Sequence, residues 1–173
     1  MTQFFLGYRK TALEPTEVLT SLFVPWTREN EYTRSYKQAK RRDDDIAIVN
    51  ACFRIQFNSD RVIQEAVLAY GGMGATTLLA KKTGDALVGK KLSLELPSQI
   101  SSILLQDLPL QASSPGGQIQ YRKTLSQSFF YKFIVYVMKE INTSLDPRLI
   151  SCIDEIHRPL SCGEQVLITK AYF

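Results

Sequence analysis

The chain has 173 residues, of which 45% are hydrophobic and 22% charged, and this composition excludes a disordered or fibrous protein. The net charge of +4 does not indicate nucleic-acid binding, because the densest basic run, residues 37–42, is followed directly by three aspartates. The longest apolar stretch, Phe129 to Met138, contains Lys132 and is far shorter than the ~20 residues of a membrane-spanning helix. We therefore expect a globular domain with neither a nucleic-acid nor a membrane partner.

The first half of the chain predicts β-strands. A β-branched-rich run over residues 17–24 ends at Pro25, and a second run over residues 32–38 follows a polar turn. The clearest signal is the alternation from Ala47 to Phe57, in which every second residue is apolar. Residues 62–70 follow a turn and predict the returning strand of a hairpin. These patterns indicate antiparallel pairing.

The second half predicts helices over residues 76–88, near residues 100–108 and along the apolar stripe from Leu125 to Ile141. Strands followed by helices are typical of the α+β class. We expect an antiparallel β-sheet of three to four strands covered on one face by about three α-helices, with the other face free for a neighbouring domain or cofactor. The periodicity fades after Asn142, which predicts a domain over residues 1–141 and a linker over residues 142–173.

The sequence predicts neither a metal centre nor a catalytic residue. The three cysteines form no Cys-x-x-Cys pair, and His157 is the only histidine, so we expect reduced thiols: Cys52, Cys152 and Cys162. The glycines at residues 71–74 lack G-x-G-x-x-G spacing and predict a strand-to-helix turn with positive φ rather than a phosphate loop. Residues 113–117 predict a turn before the long helix.

The most informative segment is the charged run over residues 36–47. It reads Tyr-Lys-Gln-Ala-Lys-Arg-Arg-Asp-Asp-Asp-Ile-Ala, with four cations and three carboxylates between two predicted strands. On composition alone, such a run favours a solvated connection with weak, exposed ion pairs.

The same segment, however, resembles the flavin-side loop of the xanthine dehydrogenase and aldehyde oxidase family, at residues 37–39, 41–42 and 44–47. Further blocks resemble that family in the same order: residues 4–5 and 7–11, Pro15, Glu17, Pro25, and residues 70–73, 115–117 and 122–133. The likeness covers residues 4–141. It identifies the chain as similar to the C-terminal subdomain of the FAD domain in these molybdenum hydroxylases.

The resemblance implies a role in electron transfer. In such enzymes a molybdenum centre oxidises a purine or aldehyde, 2Fe–2S clusters relay the electrons, and FAD passes them to NAD or oxygen. This chain would supply one wall of the flavin site, and the family's main FAD-binding stretches are expected before its first residue. The FAD site in this chain would therefore be incomplete and the chain alone inactive, with molybdopterin and the clusters in other domains.

The resemblance also implies the partners. They are the N-terminal FAD subdomain and the iron–sulfur and molybdenum domains of the same enzyme, which would form a homodimer in the cytoplasm or peroxisome.

Carried over position by position, the resemblance places an apolar flavin contact at Leu19 and a polar one at Lys37. It identifies residues 38–48 as the loop that borders the flavin and the nicotinamide site. The polar members of this loop are Gln38, Arg41, Asp44 and Asp45. A carboxylate near a flavin disfavours negative charge on the ring and an arginine favours it, so the loop would tune electron transfer.

Two alternatives stay beside this interpretation. The Arg-Asp-Asp-Asp run at residues 42–45 favours a xanthine dehydrogenase, whereas residues 47–50 look more like an aldehyde oxidase. The second alternative is a truncated, cofactor-free interaction module that keeps the fold and cannot hold FAD.

Overall fold

A four-stranded antiparallel sheet forms the centre of the molecule, with its strands in the same order in space as in the sequence. They are β3 (Glu31–Gln38), β4 (Val49–Phe57), β5 (Ile63–Gly71) and β6 (Leu78–Leu79), and a separate hairpin contains β1 (Phe5–Gly7) and β2 (Lys10–Thr11). The helices are α1 (Lys81–Leu87), α2 (Leu96–Asp107), α3 (Ile119–Glu140) and α4 (Pro147–Ile150). This computed structural model describes residues 4–41, 44–141 and 143–154. The α+β class, with helices on one face of an antiparallel sheet, is confirmed.

The core lies between the sheet and α3. Along β4 every second residue, from Val49 to Phe57, is buried, as the alternation predicted. The Phe53 ring contacts the rings of Tyr70 and Phe133, with centroids 5.0 Å and 5.5 Å away. Ile55, on the apolar face of β4, and Phe129, on the apolar stripe of α3, are also buried, as the two patterns predicted. None of the described helices, including the 22-residue α3, is long and apolar enough to cross a membrane.

The helix expected over residues 76–88 is shorter in the structure. Residues 78–79 instead form β6, which pairs with β5, so α1 begins only at Lys81. The α2 residue Asp107 then accepts hydrogen bonds from the backbone N–H and the hydroxyl of Thr83, both at 2.8 Å. Because β6 follows β5, the glycines after β5 form a strand-to-strand turn, and the predicted strand-to-helix connection was wrong.

The strand predicted over residues 17–24 was also wrong. Residues 12–28, which we call the arm, contain no strand, and all of them are exposed. Phe23 and Trp26 are 92% and 96% exposed. Strand-forming residues become a strand only when a neighbouring strand supplies hydrogen-bond partners, and the arm pairs with none of the described strands.

The chain after α3 is described as far as residue 154. The single turn of α4 begins at Pro147 and is capped by Asp146, whose side chain accepts a hydrogen bond from the Arg148 N–H at 2.9 Å; α4 packs against α3. Ile153 is buried. Most of the predicted linker over residues 142–173, with His157 and Cys162, lies outside the described residues.

Candidate functional site

The face of the sheet opposite the helices carries a recess of about 520 Å³. The strand register places small and polar side chains side by side on this face: Lys37 lies opposite Asn50, which lies opposite Gly71. One step along the strands, Ser35, Cys52 and Ala69 form the next row, and Thr77 completes the lining. Tyr36 and Ala51 also line the recess although their side chains point to the core, so their backbone forms part of the floor.

The recess depends on a glycine at position 71. A Cβ atom there would lie 1.9 Å from Oδ1 of Asn50, so any larger residue would displace the Asn50 side chain. The Asn50 amide therefore lies directly over the Gly71 backbone. Together with the Lys37 ammonium it brings hydrogen-bond donors to one end of a recess whose other outward-facing side chains are small.

Cys52 lies in this recess as a free thiol. Burial raises the pKa of the Cys52 thiol above its ordinary value, which favours the protonated form at neutral pH. Thiols act as nucleophiles in the deprotonated form, so this environment does not favour nucleophilic chemistry by Cys52.

The charged loop, residues 39–47, connects β3 to β4 at the same end of the sheet. Its base is closed by a hydrogen bond of 2.7 Å from the Ile48 N–H to the Gln38 carbonyl. The Asp45 carboxylate organises the interior of the loop, because it accepts from the backbone N–H groups of Arg41 at 2.7 Å and Ile46 at 2.9 Å. The Arg41 guanidinium donates to the carbonyl of Asp44 at 3.1 Å.

The charged side chains of the loop differ in their surroundings: Asp45 is held by hydrogen bonds within the loop, whereas Arg41 and Asp44 are exposed. The hydrogen bond from the Arg41 backbone, with that from Ile46 and the charge of Lys37, lowers the pKa of Asp45, so this carboxylate stays ionised. The Arg41 side chain is 73% exposed and Asp44 is exposed as well. Asp44 also adopts a positive φ of 49°, which is uncommon for residues other than glycine.

A second cavity of about 730 Å³ has the charged loop as one wall. Lys40 and residues 45–48 line that wall, and Tyr8 of the β1–β2 turn lies on another side. The turns after β5 and before α3 complete the cavity with Gly72, Gly74, residues 114–116, Gln118 and Arg122. The recess and this cavity flank the end of the sheet where the charged loop leaves β3.

The structure places the sequence-predicted site residues in different surroundings. Lys37 lines the recess and Asp45 lines the second cavity. Gln38 and Arg41 take part in the hydrogen bonds that shape the charged loop, Gln38 with Ile48 and Arg41 with Asp45. Leu19 lies in the arm, is 49% exposed, and lines neither the recess nor the cavity.

Sequence reasoning missed two contributions to the site. The period-two pattern had placed Asn50 on the outer face, but its contact with Gly71 needed the strand register. Arg122 lay within a recognised block, but nothing in the sequence indicated that it borders the second cavity. Within the described part of the chain, no cluster of His, Cys, Asp or Glu is suited to hold a metal ion.

A sequence profile of the family described as CO dehydrogenase flavoprotein C-terminal domain matches residues 34–137, from β3 into the last turn of α3. The chain belongs to this family. The matched residues of this flavoprotein C-terminal domain include the recess, the charged loop and Arg122, and they exclude the arm.

Relatives similar to this chain agree with the family and are much longer than it. Xanthine dehydrogenases of Dictyostelium discoideum and Blastobotrys adeninivorans are 40% and 44% identical to it over 95% and 92% of the chain. A nicotinate hydroxylase of Emericella nidulans is 44% identical over 94%. This flavoprotein C-terminal domain spans only 14%, 12% and 12% of the lengths of these three relatives.

Solved structures show the same fold. Quinoline 2-oxidoreductase from Pseudomonas putida 86 matches with a TM-score of 0.66 at 23% identity, over 80% of this chain and 47% of that one. A carbon monoxide dehydrogenase from Hydrogenophaga pseudoflava matches with a TM-score of 0.66 at 21% identity, over 77% of this chain and 45% of the other. Together with the family match, the xanthine dehydrogenase relatives confirm the resemblance found in the sequence.

Proposed function

We propose that this domain forms one wall of the flavin site in a xanthine dehydrogenase-type oxidoreductase. The observation that carries the proposal is the recess on the open face of the sheet, with Lys37 at its rim and the charged loop beside it. Its volume of about 520 Å³ lies within the range of about 300 to 1,000 Å³ for ligand pockets. Because Gly71 has no Cβ atom, the Asn50 amide lies against the Gly71 backbone, next to Lys37 on the same face of the sheet.

FAD would supply the redox chemistry by accepting electrons from iron–sulfur clusters and passing them to NAD or oxygen. The contribution of this chain would be electrostatic and steric. The Lys37 ammonium would stabilise negative charge on a ring that lies in the recess, and the Asn50 amide would supply a neutral donor or acceptor. Leu19 would add an apolar contact once a neighbouring domain orders the arm against the recess.

The charged loop would tune the flavin rather than react. Asp45 fixes the backbone of the loop, whereas Arg41 and Asp44 expose opposite charges towards the solvent beside the recess. These two charges would act on the flavin potential in opposite directions. The second cavity, which shares the loop as its wall, is where NAD would approach.

The partners of this domain would be the other domains of the same enzyme. The arm exposes large apolar side chains such as Phe23 and Trp26, which favours burial against a neighbour. The great length of the relatives supports an N-terminal FAD subdomain together with iron–sulfur and molybdenum domains that carry the 2Fe–2S clusters and molybdopterin. The full enzyme would be a homodimer in the cytoplasm or peroxisome.

The test uses a chimera in which this chain replaces the matching segment of the Dictyostelium discoideum xanthine dehydrogenase, to which it is 40% identical. We expect the purified chimera to release FAD on denaturation, measured by flavin fluorescence, with Lys37→Ala weakening FAD retention and the exposed Lys139→Ala leaving it unchanged. A folded chimera without flavin, or equal FAD retention in both variants, would contradict the proposed wall.

The isolated chain provides the complementary measurement. We expect FAD to bind it weakly or not at all, because the donors for the FAD pyrophosphate belong to the preceding subdomain in this proposal. Titration with FAD, followed by flavin fluorescence, measures this affinity. Micromolar or tighter binding to this chain alone would place the cofactor site elsewhere.

A cofactor-free interaction module is the second candidate, and the exposed arm is the observation that favours it. In that case the arm would bind a partner and the recess would have no ligand. The flavin content of the chimera separates the two, because an interaction module would leave the chimera folded with no FAD to release on denaturation. An aldehyde oxidase would give the same flavin result as a xanthine dehydrogenase and would differ in the substrate oxidised by the full-length parent enzyme.

A further inference from the structure

Arg122, in the first turn of α3, joins three separate parts of the backbone. Its side chain is buried, with 6% of the residue exposed. The guanidinium donates from Nη1 to the Gly72 carbonyl at 2.7 Å, from Nη2 to the Pro115 carbonyl at 2.6 Å, and from Nε to the Gly117 carbonyl at 2.8 Å. One side chain therefore connects the turn after β5, the turn before α3 and the helix itself.

The turn after β5 also supports the charged loop. Gly72 has a φ of +79°, and a Cβ atom on it would lie 2.3 Å from the carbonyl oxygen of Ile48. The Gly72 backbone thus packs directly against Ile48, the residue whose N–H closes the base of the loop on Gln38. A continuous chain of contacts runs from Arg122 through Gly72 to Ile48.

The acceptors of the Arg122 hydrogen bonds are backbone carbonyl oxygens rather than carboxylates. Among the described residues no carboxylate forms an ion pair with Arg122, and carbonyl oxygens alone receive its donors. Holding a buried cation with carbonyls requires a planar fork that reaches several acceptors at once. A lysine could keep the charge, but its compact ammonium could not span the same three carbonyls.

We propose that Arg122 is a positioning residue that sets the base of the charged loop through Gly72 and Ile48. The consequence for the flavin, a fixed distance between the charges of the loop and the ring, rests on the function proposed above. The position of the loop itself does not depend on that function, and it can be measured without FAD.

The first experiment is amide hydrogen exchange on the 173-residue chain, with peptides over residues 38–48 and 71–75 as readout. We compare Arg122→Lys and Arg122→Met with Tyr70→Phe. Tyr70 donates from its hydroxyl to the Ser126 carbonyl at 3.0 Å, so its loss removes a buried hydrogen bond between β5 and α3 and leaves Arg122 in place.

We expect exchange at the Ile48 amide to accelerate about tenfold or more in both Arg122 variants, because several charge-assisted hydrogen bonds are lost. Exchange there should stay unchanged in Tyr70→Phe. Unchanged exchange in Arg122→Lys, or an equal acceleration in all three variants, would overturn the proposal. If Arg122→Met does not fold, Arg122→Lys decides alone, since it keeps the charge and most of the apolar stem.

The second experiment measures the flavin potential, and KM and kcat for NAD, in the chimera carrying Arg122→Lys. Faster loop exchange together with a shifted potential supports both the positioning role and the flavin wall. Faster loop exchange with an unchanged potential supports the positioning role and contradicts the proposed function. Unchanged loop exchange contradicts the positioning role whatever the flavin does.

Discussion

The Tyr36 ring of β3 stacks on the Phe129 ring of α3, with centroids 5.4 Å apart and an interplanar angle of 18°. Successive residues of a strand point to opposite faces, so this inward contact fixes the outward direction of Lys37, the next residue. The core packing between β3 and α3 and the rim of the recess are therefore set by neighbouring residues. Among the described residues, the buried Tyr36 hydroxyl has no hydrogen-bond partner.

Tyr36→Phe should leave the free energy of unfolding unchanged or raise it by about 1 kcal/mol, because the substitution removes an unsatisfied buried hydroxyl and keeps the ring. Burial of this hydroxyl also raises the pKa of Tyr36 above its ordinary value. Urea denaturation measures the effect. Tyr70→Phe is the matched control, since that hydroxyl has a partner and its loss should destabilise. Equal destabilisation by both substitutions would contradict the prediction.

Phe133→Ala should lower the free energy of unfolding by about 3 to 5 kcal/mol, the usual range for a buried aromatic residue whose site collapses poorly. Phe133 is 1% exposed and contacts Phe53 in the centre of the core. Tyr121→Ala on the exposed face of the same helix controls for helix propensity and should cost far less. Similar losses from both substitutions would place the core elsewhere.

Stability should decrease in acid because of Glu65. Hydrogen bonds from Arg54 and then Arg28 lower the pKa of Glu65 from 4.5 to about 2. A depressed folded-state pKa means that the contribution is fully present above about pH 5 and is lost as the pH falls through 4.5 towards 2. Glu65 is half exposed, so we expect about 1 kcal/mol or less.

Denaturation between pH 7 and pH 2 measures this dependence, and Glu65→Gln should flatten it. The exposed Glu29→Gln is the control and should follow the unsubstituted chain. A curve for Glu65→Gln that is as steep as that of the unsubstituted chain would exclude Glu65 as the cause.

Arg41→Ala and Asp44→Ala should shift the flavin potential of the chimera in opposite directions. Loss of the carboxylate stabilises the reduced, anionic flavin and loss of the guanidinium destabilises it, each by about 1 to 3 kcal/mol at an effective dielectric near 20. Oxidation at the molybdenum site should stay nearly intact, while the ratio of NAD to oxygen reduction changes.

Anaerobic potentiometry measures these shifts in the chimera. Asp60→Ala is the control, because Asp60 follows β4 at the opposite end of the sheet from the charged loop. Unchanged potentials with an unchanged ratio of NAD to oxygen reduction would contradict the tuning role and would favour the interpretation of the loop as a solvated surface connection.

Limited proteolysis of the isolated chain should cut between Ser144 and Gln165 before it cuts the sheet or α3. The reason is the loss of apolar periodicity after Asn142 and the presence of Pro147 and Pro159, which predict a connector rather than part of the core. Mass spectrometry of the first fragments identifies the sites. Strong protection of this region would instead extend the domain beyond residue 141.

The sequence alone determined the elements whose signal is local. Alternation along β4 and the stripe of α3 predicted both the strand and the helix, because one buried face imposes its period on the chain. The family resemblance added the prediction of a site at Lys37 and the charged loop.

Tertiary structure decided what depends on neighbours. Residues 17–24 have strand-forming side chains but pair with none of the described strands, and residues 78–79 became β6 because β5 offered a partner. The recess exists because the strand register places Asn50 against Gly71, and the base of the loop is supported because Arg122 reaches Gly72 from fifty residues away. Such contacts join residues distant in sequence, and no local period records them.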